Sequence, residues 1–256
     1  MPSLFVSHGS PTFALDPGQA GPLLRELGQR LPKPRAVVVL SPHWMTQGVR
    51  VGFAARPETI HDFGGFPEAL YRIQYPAPGS PEVAQRALEL LRAAGWNAEP
   101  DADRGLDHGA WVPLLHLFPQ ADVPVVQVSL PRTLDGEAAV KLGQALAPLA
   151  GEGVLIIGSG SITHNLYEVF REAPDDVEYA QEFVNWARSA VTHHDGKALA
   201  HYLESAPHAR RAHPTPDHYL PLPFAFGASD PAAPVHVMDG GMTFNILAMD
   251  AYVFGD

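Results

Sequence analysis

Short apolar runs alternate along the chain with longer segments in which apolar residues recur every three or four positions. Ala36 to Leu40 is an unbroken, valine-rich apolar run, the pattern of a strand buried on both faces of a sheet. Residues 81–94 carry a helical apolar stripe, preceded by Ser80 as a capping residue and followed by Gly95. The same patterns predict strands at residues 4–6, 123–130, 154–157 and 235–238, and helices around residues 23–27, at 138–149 and from about Asp176 to His194.

Strands that alternate with helical crossovers pair in parallel, and the crossovers place helices on both faces of the sheet. No internal repeat, low-complexity tract or linker divides the 256 residues, a length that suits one large domain. We therefore predict a single α/β domain over residues 1–256, with a mostly parallel central sheet and the active site at the carboxyl ends of its strands. Two stretches rich in proline and glycine, residues 58–80 and 206–228, are predicted to be long functional loops.

Histidines follow three of the predicted strands. His8 and His43 each come after a strand, and His164 follows the strand at 154–157 after a glycine-rich turn. Because the carboxyl ends of parallel strands meet at one edge of a sheet, we expect these imidazoles to lie close together. His108 and His218 lie in segments predicted to be loops, where catalytic groups concentrate.

The composition restricts the chemistry of such a cluster. The chain has 13 histidines and no cysteine, which excludes thiolate zinc sites, iron–sulfur clusters and a cysteine nucleophile. A metal must then be held by nitrogen and oxygen, and a cluster of imidazoles suits Zn(II), Cu(II), Ni(II) or Fe(II). Neutral ligands leave the full charge of a divalent ion in the site, which favours an anionic oxygen ligand such as a catecholate or a carboxylate. An uncoordinated histidine beside the metal is suited to transfer the proton released on binding.

Charge and hydropathy argue against nucleic-acid and membrane partners. The chain has 17 Lys and Arg against 28 Asp and Glu, so it lacks the basic field that nucleic-acid binding requires. No apolar stretch approaches the roughly 18 residues of a membrane span, and the first residues do not have the pattern of a signal peptide. We expect no nucleic-acid or membrane partner, a cytoplasmic location, and a monomer or small homo-oligomer.

Six short motifs make the pattern specific, and together they resemble the class III extradiol ring-opening dioxygenases. The resemblance is to the DOPA 4,5-dioxygenase-like branch, which is related to the β subunit of protocatechuate 4,5-dioxygenase. It extends from residue 7 to residue 222 and so covers nearly the whole chain. The motifs are SHGSP at residues 7–11, SPHW at 41–44, HDFGGFP at 61–67, GLDHGAW at 105–111, GSGSITHN at 158–165 and DHYLPL at 217–222.

The resemblance implies an α/β fold around one non-haem metal ion, and an activity that uses O2 to open a catechol ring beside its two hydroxyls, giving a muconic semialdehyde. His8 and His43 match the first two metal ligands of the family. The third position falls on His218, where the protocatechuate enzymes carry a carboxylate. His164 matches a further active-site histidine, either a direct ligand or a residue that orients the substrate. His108 matches the proposed acid–base residue.

The identity of the metal stays open at the level of sequence. The resemblance implies Fe(II) for activity, but an all-histidine set of ligands also suits Zn(II), which has no redox chemistry. Two other functions are therefore compatible with the pattern: a zinc-dependent hydrolase that activates water, and a non-enzymatic metal-binding relative. The non-enzymatic relatives use a cysteine near the metal, which this chain lacks.

Other side chains in the same motifs are candidates for the surroundings of the site. Aromatic residues predicted to wall a pocket are Phe63, Phe66, Trp44 and Trp111. Asp107 and Asp217 are candidate hydrogen-bond partners of the histidines, and His61 and His213 are candidate pocket-lining residues.

Overall fold

The computed structural model describes residues 1–169 and 177–256, and a large β-sheet runs through its centre. Along the chain its strands are β1 (Ser3–Ser7), β2 (Ala36–Thr46), β3 (Val49–Gly52), β4 (Ala98–Asp101), β5 (Val125–Pro131), β6 (Val154–Gly160) and β7 (Val235–Met238). A short hairpin of β8 (Met242–Thr243) and β9 (Leu247–Ala248) then precedes β10 (Ala251–Phe254), which returns to the sheet.

The helices lie between these strands. They are α1 (Ala20–Arg30), α2 (Glu68–Tyr71), α3 (Pro81–Ala93), α4 (His108–Leu117), α5 (Gly136–Leu146), α6 (Pro148–Gly151), α7 (Leu166–Val169), α8 (Glu178–Thr192), α9 (Gly196–Ala200), α10 (Tyr202–Ser205), α11 (Ala209–Ala212) and α12 (Pro221–Gly227), and a 3₁₀ turn spans Pro11–Ala14. Ser80, Asp107 and Asp135 cap α3, α4 and α5 by accepting a hydrogen bond from a backbone N–H of the first turn. Within the described residues, no helix combines the length and the apolar character that crossing a bilayer requires.

The sheet has the strand order β4-β3-β5-β2-β6-β1-β10-β7. Its centre is parallel, since β2 pairs in parallel with β5 and β6, and β6 with β1. Antiparallel pairing is found where β10 joins β1 and β7, and where β3 joins β5. The prediction of a mostly parallel sheet is confirmed.

Both faces of the sheet are covered by helices, as the valine-rich runs predict. Val37 and Val39 in β2 pack in one core cluster with residues of α1 and α4. Val38 and Leu40 pack in a second cluster with residues of α3, α5 and α12. All four side chains are fully buried, so the central strand gains hydrophobic stabilisation on both faces.

Each predicted strand is present, with shifted ends, and most of the predicted helices are too. The predicted helix at 138–149 is in fact two helices, α5 and α6, because Pro148 has no N–H to continue the hydrogen-bond ladder. The helix predicted to start near Asp176 is present as α8, and Asp176 itself lies outside the described residues. The sequence pattern did not reveal β3, β4 or β10.

Two loop predictions are wrong in part. His108, expected in a loop, is the first residue of α4, a helix whose residues are almost all buried and therefore show no amphipathic period. The stretch at 206–228 contains α11 and α12 as well as irregular chain, and Pro221 begins α12 because a proline is favourable in the first turn. The stretch at 58–80 is largely irregular, apart from α2.

Helix α12 approaches its neighbours closely enough that backbone meets backbone. A Cβ atom on Gly143 of α5 would lie 2.0 Å from the carbonyl oxygen of Phe224, and one on Gly158 of β6 would lie 2.0 Å from that of Pro221. Glycine at these two positions allows the approach. Because α12 begins three residues after His218, this packing also determines where that histidine lies.

We expect Gly143→Ala to lower the free energy of unfolding by about 1–3 kcal/mol, because the added methyl group forces α5 and α12 apart. Thermal or urea unfolding measures the change. Gly151→Ala in α6 is the matched control, since a Cβ there has no atom within 4 Å. The control should be as stable as the parent or slightly more stable. Equal stability of the two variants would contradict this account of the packing.

Candidate active site

Five histidines meet at the carboxyl ends of neighbouring strands. His8 follows β1 and His164 follows β6, while His43 lies in β2, and these three strands are adjacent in the sheet. The ring centroid of His8 lies 5.0 Å from that of His43 and 5.4 Å from those of His108 and His218. The rings of His164 and His218 stack with centroids 3.5 Å apart and planes at 5°. The structure thus brings together all five histidines singled out in the sequence.

His43 was expected just after a strand and instead lies inside β2, at an irregular point. The pairing of β2 with β5 shifts register between Ser41 and Met45, and His43 lies within this interval. Gly109 in α4 packs beside it, and a Cβ atom there would lie 2.9 Å from Cδ2 of His43 and 2.3 Å from Oγ of Ser41. The glycine of the GLDHGAW motif therefore lets α4 approach His43 closely.

A hydrogen-bond chain determines which nitrogen of His8 carries the proton. The hydroxyl of Ser159 donates to the carbonyl oxygen of Gly109, so its oxygen is free to accept a hydrogen bond from Nδ1 of His8 at 3.0 Å. With the proton on Nδ1, Nε2 of His8 presents a lone pair. That Nε2 lies 3.1 Å from Nε2 of His43.

Carboxylates hold Nδ1 of two further histidines. Oδ2 of Asp62 lies 3.0 Å from Nδ1 of His108, and Oδ1 accepts the backbone N–H of the same histidine at 2.9 Å. Oδ2 of Asp217 lies 2.5 Å from Nδ1 of His218, in agreement with the expected role of Asp217. His108 and His218 therefore present Nε2 to the site. A carboxylate bound to Nδ1 in this way fixes the orientation of an imidazole that acts as a metal ligand or as an acid–base group.

Asp62 is a candidate positioning residue that the sequence pattern did not single out. Burial alone raises its pKa, but the hydrogen bond from His108 and the attraction of the imidazoles outweigh that effect and lower the pKa to about 2. Its carboxylate is therefore charged at neutral pH. The HDFGGFP motif contained the residue, but nothing in the local sequence indicates that it reaches a histidine 46 positions away.

Asp107 supports the backbone of the site and contacts none of the five rings through a hydrogen bond in the described part of the chain. The buried carboxylate accepts hydrogen bonds from Oγ of Ser41 and Nη2 of Arg104, both at 2.8 Å, and from the side chain of Gln127. The same nitrogen of Arg104 lies 3.3 Å from the carbonyl oxygen of His43. Asp107 thus connects β2, β5 and the start of α4.

Burial keeps four imidazoles of the cluster, those of His8, His43, His164 and His218, neutral. Desolvation, followed by repulsion from neighbouring histidines, lowers the pKa of His8 well below its usual value and that of His43 to about 4. Desolvation also lowers the pKa of His164 to about 4 and that of His218 well below its usual value. Neutral imidazole is the form that binds a metal, so these four residues are competent ligands at pH 7.

The set of donor atoms fits a divalent cation. Ring nitrogens of His8, His43 and His108 all lie within 4.8 Å of one another, and the ring of His218 is in contact with those of His8 and His43. Imidazole nitrogens without thiolates suit Fe(II) and Zn(II) among other ions.

A cavity of about 490 Å³ opens over the histidines, within the size range of small-molecule sites. Phe63 and Phe66 line it, as predicted. Trp44 and Trp111 are buried elsewhere, Trp111 completely. His61 is also absent from the wall that the described residues form, and its Nε2 lies 3.0 Å from the carbonyl oxygen of Ile73.

Comparison with known proteins places this geometry in a family. Residues 2–255 match the family model described as the catalytic LigB subunit of aromatic ring-opening dioxygenase. The chain belongs to the LigB family. It is 40% identical to the 4,5-DOPA dioxygenase extradiol of Beta vulgaris over 98% of this chain and 96% of the relative, and 38% identical to that of Escherichia coli K12 over 97% and 93%. A crystal structure of an uncharacterized Escherichia coli K12 protein superimposes with a TM-score of 0.83 at 32% identity, over the full length of both chains.

Membership of the LigB family identifies the protein as an aromatic ring-opening dioxygenase of the extradiol type, an oxidoreductase. Dioxygenases of this family use a single metal ion, and the convergent imidazoles provide donor atoms for one. The family resemblance inferred from six short motifs is confirmed over nearly the whole chain.

We expect Asp62→Asn to lower kcat by about 10- to 100-fold. Both oxygens of the Asp62 carboxylate accept an N–H of His108, one from the backbone and one from the ring, whereas the amide of asparagine has only one oxygen and would turn its own N–H towards one of these two groups. Steady-state oxygen uptake with a catechol measures the loss, and the metal content and melting temperature of the variant show whether the site is still loaded and folded. Asp103→Asn, an exposed carboxylate in the segment before α4, is the control and should retain the parent activity. A parental kcat in Asp62→Asn would contradict a positioning role.

His213 was a candidate for the pocket and is instead a buried structural residue. Its Nε2 lies 2.7 Å from the carbonyl oxygen of Ile162, and desolvation lowers its pKa to about 3. Below pH 6.5 the unfolded chain gains a proton at this histidine while the folded protein does not. The contribution of His213 to stability is therefore present above pH 6.5 and is lost as the pH falls towards 3.

In metal-free protein, His213→Gln should make the free energy of unfolding less dependent on pH between pH 6.5 and 4.5, by up to about 1.4 kcal/mol per pH unit. Urea unfolding at several pH values measures this slope. His236→Gln replaces a histidine whose side chain is 59% exposed and should leave the slope unchanged. Identical slopes for the parent and His213→Gln would show that His213 is not held neutral by burial.

Proposed function

We propose that this protein uses O2 to open the ring of a catechol that carries a side chain, as DOPA does. The bond that breaks lies between a hydroxyl-bearing carbon and its neighbour without a hydroxyl, and the product is a muconic semialdehyde. The observation that carries the proposal is the convergence of imidazole nitrogens, including those of His8, His43 and His108, in a largely apolar pocket. The names of the relatives from Beta vulgaris and Escherichia coli support the DOPA-like class of substrate.

In this proposal His8, His43 and His218 hold Fe(II), and His164 is either a fourth ligand or a contact to the substrate. Fe(II) held by these residues would supply the redox chemistry that the reaction with dioxygen requires, and its charge would favour binding of the catechol oxygens. Zn(II) suits the same donor atoms but has no redox chemistry, so a zinc-loaded protein should bind catechols without opening them. The Nδ1 contacts of His8 and His218 support this assignment, because they leave Nε2 of both rings free for a metal.

His108 is the proposed acid–base residue. With Nδ1 held by Asp62, its Nε2 is available to take the proton of the second catechol hydroxyl and to return a proton as the ring opens. The charged carboxylate of Asp62 stabilises the imidazolium that forms in between. The backbone N–H bond to the same carboxylate keeps the ring in place during both transfers.

The remaining residues of the pocket exclude water and position the ring. In the proposed reaction residues 1–256 act as one catalytic domain, and a small aromatic substrate and O2 are its partners. His8, His43 and His164 are held by the adjacent strands β1, β2 and β6 of the central sheet. Because the sheet fixes the positions of these side chains, less entropy is lost when the reactants are aligned.

Metal-free protein reconstituted with Fe(II) under anaerobic conditions should consume O2 and produce a yellow semialdehyde when it is given a catechol in air. Oxygen-electrode and absorbance assays over DOPA, catechol, protocatechuate and caffeate measure both. The same protein loaded with Zn(II) is the control and should show neither signal. Failure of the Fe(II) protein to consume O2 with any catechol would overturn the proposed function.

Two variants serve as internal controls for that assay. His43→Ala should lose its metal, as elemental analysis would show, whereas His108→Ala should keep the metal and lose turnover. Full activity of His108→Ala would exclude its acid–base role without affecting the proposed reaction.

A further inference from the structure

The backbone around His43 lacks the regular pairing that supports the rest of β2. Ser41 and Met45 of β2 pair with two consecutive residues of β5. Residues 42–44, here called the inserted segment, therefore lie opposite no residue of β5, a strand that the structure describes in full. The pairing of β2 with β6 has also ended before this segment begins. An irregularity of this kind re-aims a side chain, and here it leaves the backbone of His43 to be held by other groups.

Side chains bind both backbone polar groups of His43. Its N–H donates to Oγ of Ser41, and its carbonyl oxygen accepts from Nη2 of Arg104, each at 3.3 Å. The Ser41 hydroxyl and the same Nη2 donate at 2.8 Å to the buried carboxylate of Asp107, one to each oxygen. The four residues thus close a ring of hydrogen bonds. Because buried backbone groups need partners, this ring does for His43 what β5 does for the regular part of β2.

Arg104 reaches this ring of hydrogen bonds from a fixed position. Its backbone N–H donates to Oδ1 of Asp101, the last residue of β4, at 2.9 Å. Its guanidinium carbon lies 5.1 Å from the centroid of the Trp44 ring, within the range of a cation–π contact. Trp44 is buried and belongs to the inserted segment, so the arginine contacts two consecutive residues of that segment. Arg104 thereby connects the inserted segment to the end of β4.

We propose that Arg104 is a positioning residue, which determines where the imidazole of His43 meets the metal by holding the backbone of the inserted segment. This inference rests on the proposed function, which assigns His43 as a metal ligand. A displaced backbone carries its side chain with it, and groups that orient a ligand from outside the metal's own shell affect metal affinity strongly. Arginine suits the position because one long, planar cation donates to Asp107 and to the His43 carbonyl while it packs beside the indole.

Arg104→Lys tests the role and should leave the fold intact. Lysine keeps a positive charge beside Asp107, and it removes Nε of Arg104, a buried donor without a hydrogen-bond partner in the described part of the chain. Its side chain is one bond shorter and has no planar group, so it should not hold the His43 carbonyl as arginine does. We expect Co(II) to bind about tenfold more weakly and with a changed visible spectrum, which reports the geometry around the metal. Competition with a chelating dye measures the dissociation constant, and urea unfolding of the metal-free variant checks the fold.

Arg50→Lys is the matched control. Nη2 of Arg50 donates to Oε2 of Glu99 at 3.0 Å, between β3 and β4 at the edge of the sheet, so the same substitution removes a similar contact away from the histidines. The control should keep the parental dissociation constant and Co(II) spectrum. An equal loss of affinity in both lysine variants, or parental affinity and spectrum in Arg104→Lys, would overturn the inference.

Oxygen uptake by the Fe(II)-loaded parent separates this inference from the proposed function. Weaker Co(II) binding by Arg104→Lys, together with no oxygen uptake by the parent, would support the positioning role and overturn the dioxygenase reaction. Oxygen uptake by the parent, together with parental Co(II) binding by Arg104→Lys, would leave the reaction intact and overturn the inference. Co(II) binding by His43→Ala as tight as that of the parent would show that His43 is not a ligand and would also overturn the inference, whatever the oxygen uptake.

Discussion

Burial of several imidazoles at one edge of the sheet is the constraint on which the rest of the site depends. Water stabilises the charged form of histidine, and its exclusion lowers the pKa of His8, His43, His164 and His218, so that these rings keep their lone pairs at neutral pH. Neutral rings can approach one another as closely as His164 and His218 do, whereas two imidazolium ions would repel each other. The site is thereby prepared for a cation, which supplies the charge that the ligands lack.

Neutral imidazoles can bind a metal ion only when their free nitrogens point towards the same position. Hydrogen bonds determine the orientation of these rings. Ser159 orients His8, and Asp217 orients His218. Asp62 holds both the ring and the backbone of His108 at the start of α4. Each of these partners belongs to a different part of the chain from the histidine it serves, except Asp217, so the orientation depends on the packing of the whole domain.

The pocket combines two surfaces with different requirements. In the proposed reaction the inner surface, formed by the histidines, binds oxygen atoms and transfers protons, and it needs charge and hydrogen bonds at defined positions. The rest of the pocket is an apolar surface, to which Phe63, Phe66 and Leu247 contribute. The proposed reaction depends on the inner surface, and the shape and polarity of the apolar surface restrict which catechols fit.

The sequence alone determined the alternation of strands and helices, the buried central strands and the histidines at their carboxyl ends, because these features depend on local apolar periodicity and on short motifs. It did not reveal α4, since a helix buried on nearly all sides has no polar face to produce a period. It also did not reveal Asp62, whose contact with His108 spans 46 positions and exists only when α4 packs against the segment before α2. The tertiary structure likewise excluded Trp44, Trp111, His61 and His213 from the described wall of the pocket. Whether an aromatic ring or an imidazole faces a cavity or a core depends on the direction of its side chain within the packed domain, which local sequence does not encode.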